Sequence, residues 1–199
     1  MAVRIRLERT ETELFCSSKW WGDPDFPLDM EYPSFPVEEA GESYDYPLTF
    51  VCQIDCDDIA RFDPENRLPH EGMFYVFAAL DAYAGYESPV RNGVGEWPKG
   101  QVVVKYTKHI NFETFRASIL VDDEDQPLTE PALKMTFEAC GNDDPETRLL
   151  GSGPSGAPAF LRIADGTAGL DFGGKSLVLY LDPLDFERGY WRRMKGALV

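Results

Sequence analysis

A glycine-rich hexapeptide is the first candidate for chemistry in this sequence. Residues 151–156 read Gly-Ser-Gly-Pro-Ser-Gly, the G-x-G-x-x-G spacing with which dinucleotide-binding loops approach a pyrophosphate. That chemistry needs a buried strand before the loop and a helix that opens at its end. Here the polar, turn-like segment Asp143 to Arg148 precedes the glycines, and Pro154 and Pro158 crowd the start of any helix. We therefore predict a flexible loop rather than a nucleotide site.

Hydrolytic chemistry would need a nucleophile held beside a base. Ser155 does not sit in a Gly-x-Ser-x-Gly elbow, because Ala157 occupies the last position. The chain has two histidines, His70 and His109. His70 stands in a predicted turn and His109 follows a basic strand, so we interpret both as surface or half-buried structural residues. The sequence thus favours a protein that is not an enzyme.

The spacing of the available ligands also disfavours metal binding. The cluster Asp55, Asp57 and Asp58 lacks the glycine and the glutamate of a calcium-binding EF-hand loop, and residues 122–125 fail in the same way. Helix capping and hairpin turns explain these acids more simply. The four cysteines form no Cys-x-x-Cys pair and are predicted to be buried free thiols: Cys16, Cys52, Cys56 and Cys140. We expect neither a metal nor any other cofactor.

The net charge limits the partners that the chain can bind. It is −16 at pH 7. Phosphate contacts need lysine and arginine, so direct binding to nucleic acid or to an anionic membrane is disfavoured, and a basic protein partner is favoured. No apolar stretch approaches the roughly 18 residues of a membrane helix. The charged residues 1–15 lack the apolar run of a signal peptide, so we expect a cytoplasmic protein.

The acids are concentrated in one segment. Residues 20–60 hold eleven Asp or Glu and neither Lys nor Arg. Aromatic residues such as Trp20, Trp21 and Tyr32 are interleaved with them, and aromatic anchors inside a charged rim are typical of interface hot spots. A solvated acidic face kept for solubility is the alternative interpretation. The residues predicted to contact a partner are Asp23, Asp25, Asp29, Glu31, Glu38, Glu39, Glu42, Tyr44 and Asp45.

Short elements must position these residues, because the chain has 15 prolines and 17 glycines and no long stretch of helical period. Residues 3–7 alternate between apolar and charged, the pattern of a half-buried strand. Residues 20–46 show no clear period and are predicted to form an irregular loop. Asp55 or Asp57 is placed to cap a short helix, and a second is expected over 186–193. Further strands are predicted over 48–54, 72–80, 102–106, 117–121, 133–139 and 176–181.

These elements predict a single domain over residues 1–199, of the α+β class and largely antiparallel β with short helices. An internal repeat also relates the two ends of the chain. Each copy has a glycine, an aspartate that closes a strand, and a second glycine, at intervals of 33 and 17 residues and then of 31 and 14. The positions are Gly22, Asp55 and Gly72 in one copy and Gly151, Asp182 and Gly196 in the other. We predict two pseudo-duplicate β-rich halves, about 12–80 and 147–199, joined by a β segment over 81–146.

The same residues resemble the YwqG-like family, a bacterial domain of unknown function. Pro47 to Asp55 resembles the family's Pro-Leu-x-Phe-x-x-Gln-Ile-Asp strand. Gly22 to Pro24 resembles its Gly-x-Pro loop, Leu68 to Gly72 its Leu-Pro-x-x-Gly strand entry, and Leu149 to Gly151 its later Leu-Leu-Gly. The resemblance implies an α+β fold with pseudo-duplicate halves and no known enzymatic activity.

The resemblance also implies a candidate role, because some relatives resemble immunity proteins encoded beside polymorphic toxins, including nucleases delivered by type VI secretion. The hypothesis is a non-enzymatic protein whose acidic surface occupies the basic active cleft of a cognate toxin. The acids would speed encounter, and the aromatic side chains would slow release. The alternative is a housekeeping cytoplasmic protein, or an enzyme whose site is assembled from residues distant in sequence.

Overall fold

In a computed structural model, which describes residues 1–39, 41–80, 94–122 and 124–199, short strands account for most of the regular structure. The strands are β1 (Ala2–Arg9), β2 (Lys19–Trp20), β3 (Asp25–Phe26), β4 (Ser34–Glu39), β5 (Glu42–Pro47), β6 (Thr49–Asp55), β7 (Met73–Ala78), β8 (Gly95–Glu96), β9 (Val102–Thr107), β10 (Arg116–Ala117), β11 (Leu133–Cys140), β12 (Arg148–Leu149), β13 (Ala159–Ala164), β14 (Ser176–Tyr180) and β15 (Lys195–Leu198). The α-helices are α1 (Cys56–Ala60) and α2 (Pro183–Glu187), and 3-10 turns cover Pro154–Gly156, Thr167–Gly169 and Trp191–Arg193.

Eleven of these strands form one antiparallel sheet, in the order β8-β15-β14-β13-β12-β1-β11-β2-β6-β7-β9. The sheet curls into a half-barrel. Its two ends come together where Val102 of β9 lies against Gly196 of β15. A Cβ at Gly196 would stand 2.5 Å from the Val102 side chain, so the close approach of the two ends requires glycine there.

The α+β class expected from the sequence is wrong, and the fold is β-rich. In the described part of the chain, each of the two α-helices has five residues, which is too short to form a layer against the sheet. Within the same ranges, no helix is long and apolar enough to cross a membrane.

Most of the long strands form where the sequence pattern predicted them. In β1, Val3 and Ile5 are buried while Arg6 is exposed, as a half-buried strand requires. β7 is buried at all six positions, because it carries a hydrophobic core on each face. The predictions over 48–54, 102–106, 133–139 and 176–181 are likewise confirmed, by β6, β9, β11 and β14.

The main core joins side chains from both ends of the curled sheet. The Trp191 ring lies 5.0 Å from that of Phe74 on β7 and 5.9 Å from that of Phe160 on β13. A second core occupies the opposite face of β6 and β7, where Tyr75 and Phe77 alternate with the residues of the main core. Phe26 of β3 covers this outer face, with its ring 5.1 Å from that of Tyr75.

Three local predictions need correction. Residues 20–46 are not an irregular loop, because they contain β3, β4 and most of β5. The strand expected over 117–121 is reduced to the two-residue β10, which pairs with β3. The helix expected over 186–193 is displaced to α2, which begins at Pro183, a residue pre-organised for the first turn of a helix.

The strand order bears on the predicted relation between the two halves of the chain. β1 is the sixth of the eleven strands; β12, β13 and β14 follow on one side, and β11, β2 and β6 follow on the other. β6 and β14 are thus each the third strand from β1.

The predicted equivalence of Asp55 and Asp182 stays a prediction. Each is the N-cap of a five-residue helix that follows a strand three places from β1. The boundaries of the predicted repeats and the single domain stay predictions. Residues 81–93 and 123 of the predicted connecting segment lie outside the described residues.

Candidate partner-binding surface

Much of the acid-rich segment folds into a hairpin that is separate from the main sheet. Among the described strands, β4 and β5 pair with each other and with no other strand. The directly opposed pairs are Ser34–Pro47, Phe35–Tyr46, Pro36–Asp45, Val37–Tyr44, Glu38–Ser43 and Glu39–Glu42. Gly41 lies in the tight turn with a φ of +88°, which glycine adopts without strain. We call residues 34–47 the acidic hairpin.

One face of the acidic hairpin is aromatic. Opposed residues share a face, so Phe35, Val37, Tyr44 and Tyr46 lie on the same side. Phe35, Val37 and Tyr46 pack against the second core and anchor the hairpin to the sheet. Tyr44 lies nearer the tip and remains 44% exposed, with its ring 6.4 Å from that of Tyr46. Tyr44 is therefore accessible to a partner.

Carboxylates lie on both faces of the acidic hairpin near its tip. Glu38, Glu42 and Asp45 are exposed, and the Tyr44 hydroxyl donates to Glu42 at 2.6 Å. Glu42 shares the face of Tyr44, while Glu38 and Asp45 lie on the opposite face. The backbone of Glu39 opposes that of Glu42, while the Glu39 side chain lies outside the described part of the protein. The hairpin carries no Lys or Arg. Such a tip can accept hydrogen bonds and ion pairs from a partner's lysines and arginines, and the Tyr44 ring can face a cation.

Three more of the predicted contact residues precede the acidic hairpin in the chain. Asp29 and Glu31 are exposed, although the carbonyl of Glu31 accepts a hydrogen bond from Lys105. Asp23 is half-buried, and its carboxylate accepts from the hydroxyl of Thr129 at 3.2 Å. Asp29 and Glu31 are thus accessible, while Asp23 is partly engaged within the protein.

The prediction of a partner contact is wrong for Asp25, which is 1% exposed. Its Oδ2 accepts from Lys19 Nζ at 2.7 Å, from Gln53 Nε2 at 2.6 Å and from the Cys16 amide at 2.8 Å. Lys19 stands one residue before the lysine-free segment 20–60 and supplies the charge that makes burial of this carboxylate possible.

The buried Lys19–Asp25 ion pair belongs to a network that sequence reasoning missed. The Asp25 amide donates to Gln53 at 2.9 Å, and the Tyr75 hydroxyl donates to the Asp25 carbonyl at 2.7 Å. Burial raises the pKa of Tyr75 well above its usual range, and it raises that of the Cys16 thiol to about 11. Both groups are protonated at neutral pH, so the network offers no nucleophile. It fixes β3 on the outer face of the sheet.

The aspartates that follow β6 have structural partners. Asp55 is the N-cap of α1 and accepts from the Asp57 amide at 3.1 Å, which confirms the predicted capping. Asp58 accepts from the Ser18 hydroxyl at 2.6 Å. Burial raises the pKa of Asp55, and the nearby Asp58 and Asp57 charges act in the same direction. Among the described residues, no group of three or more His, Cys, Asp or Glu could hold a metal ion.

The glycine-rich hexapeptide is a loop between β12 and β13, as predicted. β12 is two residues long, and Pro154–Gly156 forms a 3-10 turn in place of an α-helix. Glycine is favoured at position 151, because φ is +114° there and a Cβ would lie 3.2 Å from Arg148 Nε and 3.1 Å from the Asn142 carbonyl. The long buried strand and the helix N-terminus that bind a pyrophosphate do not flank this loop.

The histidines agree with their interpretation as structural or surface residues. His70 is half-buried with Nε2 3.4 Å from the buried Asp63 carboxylate, which also accepts from the Leu68 amide at 2.8 Å. His109 is exposed. The four cysteines are free thiols; three are buried, as predicted, and Cys140 is half-buried.

Comparison with known proteins places the chain in a family. The model of a domain of unknown function, DUF1963, matches residues 18–151, which include the acidic hairpin, the buried Lys19–Asp25 ion pair and the strands from β2 to β12. None of the curated proteins matches the chain. Because the match covers most of the sequence, the chain belongs to the DUF1963 family of domains of unknown function.

Proposed function

We propose that this chain is a non-enzymatic protein that binds a basic protein partner through the acidic hairpin. The observation that carries the proposal is the exposed Tyr44 beside the Glu42 carboxylate, on a hairpin that carries Glu38 and Asp45 on its other face and is anchored by Phe35, Val37 and Tyr46. Interface energy is concentrated in a few anchors of this kind, with charged residues around them. Because the anchored base fixes the tip before binding, little ordering entropy is lost on association.

Long-range electrostatics support the same role. The chain carries 35 acidic and 19 basic residues, and the acidic hairpin has no base of its own. Glu38, Glu42 and Asp45 are exposed at the same end of the hairpin, and uncompensated like charge costs stability. Attraction of a basic partner is the use that this negative charge best serves.

We propose further that the partner is a cognate toxin with a basic cleft, and nucleases are the class that fits best. A nuclease cleft holds phosphates with lysine and arginine, so the hairpin carboxylates can occupy phosphate positions and block it. Within the DUF1963 family, the motifs of this chain resemble those of YwqG-like members, and some of these relatives resemble immunity proteins. The binding would then take place in the cytoplasm of the bacterium that makes both proteins.

Co-expression with the toxin encoded beside the gene tests the proposal. The test variant carries Glu38→Lys, Glu42→Lys and Asp45→Lys. The control variant carries Glu11→Lys, Asp143→Lys and Glu187→Lys, which alter three exposed acids outside the hairpin by the same total charge. We expect the wild type and the control to protect the cells and the hairpin variant to fail, with equal amounts of folded protein in each strain. Full protection by the hairpin variant would show that the carboxylates of the hairpin are not needed for protection.

A further inference from the structure

A groove of about 910 Å³ opens beside the base of the acidic hairpin. Its walls are mostly apolar, and sites for small molecules typically measure roughly 300–1,000 Å³ with mostly apolar walls and few polar groups. The apolar lining includes Trp21, Tyr32, Leu80, Leu133 and Leu170.

Backbone contacts fix one wall of this groove. The Trp21 amide donates to the Val51 carbonyl at 3.0 Å, and the Gly22 amide donates to the Glu130 carbonyl at 2.9 Å. Gly22 has a φ of +73°, and a Cβ there would stand 2.8 Å from that of Ala132. The wall is thus closely packed and hydrogen-bonded, so the groove is formed before any ligand enters.

Two polar groups of the groove have no partner among the described residues. The Thr49 hydroxyl is buried without a hydrogen bond in that part of the chain. Arg9 lies exposed at the rim, and by strand alternation it continues the inward series of Val3, Ile5 and Leu7. No described carboxylate forms an ion pair with Arg9, although the chain has 35 acids. A positive charge at the mouth of an apolar groove matches an anionic group on an apolar body.

We propose that the groove binds a small amphipathic monocarboxylate of the fatty-acid class, with its apolar chain against Trp21, Leu80 and Leu170 and its carboxylate on Arg9. Glu130 also lines the rim, and its charge selects against ligands with a second negative charge, such as phosphate monoesters. Arg9 repels a basic protein segment, so the groove and the tip of the acidic hairpin suit ligands of opposite charge. The inference does not depend on the proposed partner binding.

Three ligands with the same ten-carbon chain separate head-group recognition from apolar burial: decanoate, decanol and decyltrimethylammonium. Isothermal titration is performed at concentrations below micelle formation. Decanoate should bind one molecule per chain, and at least about tenfold more tightly than the cation, since a charge-assisted contact distinguishes the two. Decanol should bind with intermediate affinity.

Variants locate the site. Arg9→Gln should weaken decanoate binding about tenfold and leave decanol within twofold, because it removes only the charged contact. Arg6→Gln is the matched control on the same strand and the opposite face, and it should change neither affinity. Leu128→Trp adds volume to the wall and should weaken both ligands. Thermal unfolding of each variant establishes that it is folded.

Absence of decanoate binding to the folded wild type would overturn the proposal. So would equal affinity for decanoate and decyltrimethylammonium, or an equal loss of decanoate binding in Arg9→Gln and Arg6→Gln. A tenfold loss in Arg9→Gln for decanol as well as for decanoate would also overturn it, because the contact would then not be with the carboxylate.

Discussion

Replacement of Asp25 by Asn is expected to destabilise the protein strongly. Asp25 and Lys19 form an ion pair at 2.7 Å, with side chains 2% and 7% exposed, so the substitution leaves a lysine charge buried without its counter-charge. Removal of one partner of a buried pair typically costs 3–5 kcal/mol. The Asn side chain can still accept hydrogen bonds from Gln53 and the Cys16 amide, which keeps the expected loss near the middle of that range, about 4 kcal/mol.

The measurement is urea denaturation followed by circular dichroism, with the free energy of unfolding obtained by linear extrapolation. For a chain of this size, about 4 kcal/mol also corresponds to a fall of roughly 8–16 °C in the melting temperature. Asp29→Asn is the control, because Asp29 is exposed, and it should change the free energy by less than about 0.5 kcal/mol. Lys19→Met in the Asp25→Asn background removes the orphaned charge and should restore part of the stability.

A loss of less than about 1 kcal/mol in Asp25→Asn would contradict the assignment of a buried, paired carboxylate. The double variant gives a second test. If Lys19→Met lowers the free energy of unfolding by the same amount in Asp25→Asn as in the wild type, the two residues act independently, and the assignment of an ion pair is contradicted. Either result would indicate that Asp25 is exposed, as the sequence pattern predicted.

Two further predictions concern the sheet. Gly72→Ala should cost more than about 3 kcal/mol in urea denaturation, because a Cβ there would stand 2.1 Å from a backbone carbonyl of β9 at a φ of +86°. Gly156→Ala, at a φ of +79° with open space around it, should cost about 1–2 kcal/mol, and equal losses would contradict the packing argument. The Arg4 guanidinium holds the pKa values of Asp144 and Glu138 below their ordinary 3.8 and 4.5. A carboxylate with a lowered folded pKa stabilises fully above its unfolded pKa and loses that contribution as pH falls, so stability should decline below about pH 4.5. Arg4→Gln should flatten this decline in urea titrations between about pH 3 and 6, and an unchanged slope would contradict the pairing.

Local periodicity was enough to predict the long strands. Residues 3–7 alternate strictly, and residues 72–80 are apolar throughout, so β1 and β7 could be predicted without tertiary information. Asp55 was also predicted correctly as a cap, because capping depends on bonds to residues close in sequence. The first short helix likewise followed from local signals, whereas the second was expected over 186–193 and lies at Pro183–Glu187. Their five-residue length, which makes the fold β-rich, depends on packing that periodicity does not report.

The candidate surface could be predicted only in part. Phe35 and Val37 alternate on one strand and Tyr44 and Tyr46 on the other, with Gly41 between them, so a signal for the acidic hairpin was present. The prolines and acids in the same segment are depleted in strands and concealed that signal. The burial of Asp25 could not be predicted from the segment 20–60 alone, because its charge partner lies outside that segment and its other partners come from distant residues.

The strand order illustrates a different limit. Similar intervals between glycine and aspartate predict that Asp55 and Asp182 are equivalent, and each is the N-cap of a short helix after a strand three places from β1. The order of the eleven strands depends on long-range pairing and register, which sequence intervals do not contain.

The association rate of the chain with the basic toxin proposed as its partner tests the central claim most directly. It is measured by surface plasmon resonance from about 20 mM to 500 mM salt, a range over which the screening length shortens from well above to below roughly 8 Å. The variant with Glu38→Lys, Glu42→Lys and Asp45→Lys is compared with the wild type and with the variant changed at Glu11, Asp143 and Glu187. We predict that the hairpin variant associates at least about tenfold more slowly at low salt, that the control stays much closer to the wild type, and that the difference shrinks as salt rises. Equal association rates for the hairpin variant and the control at every salt concentration would contradict the claim that this hairpin captures a basic partner.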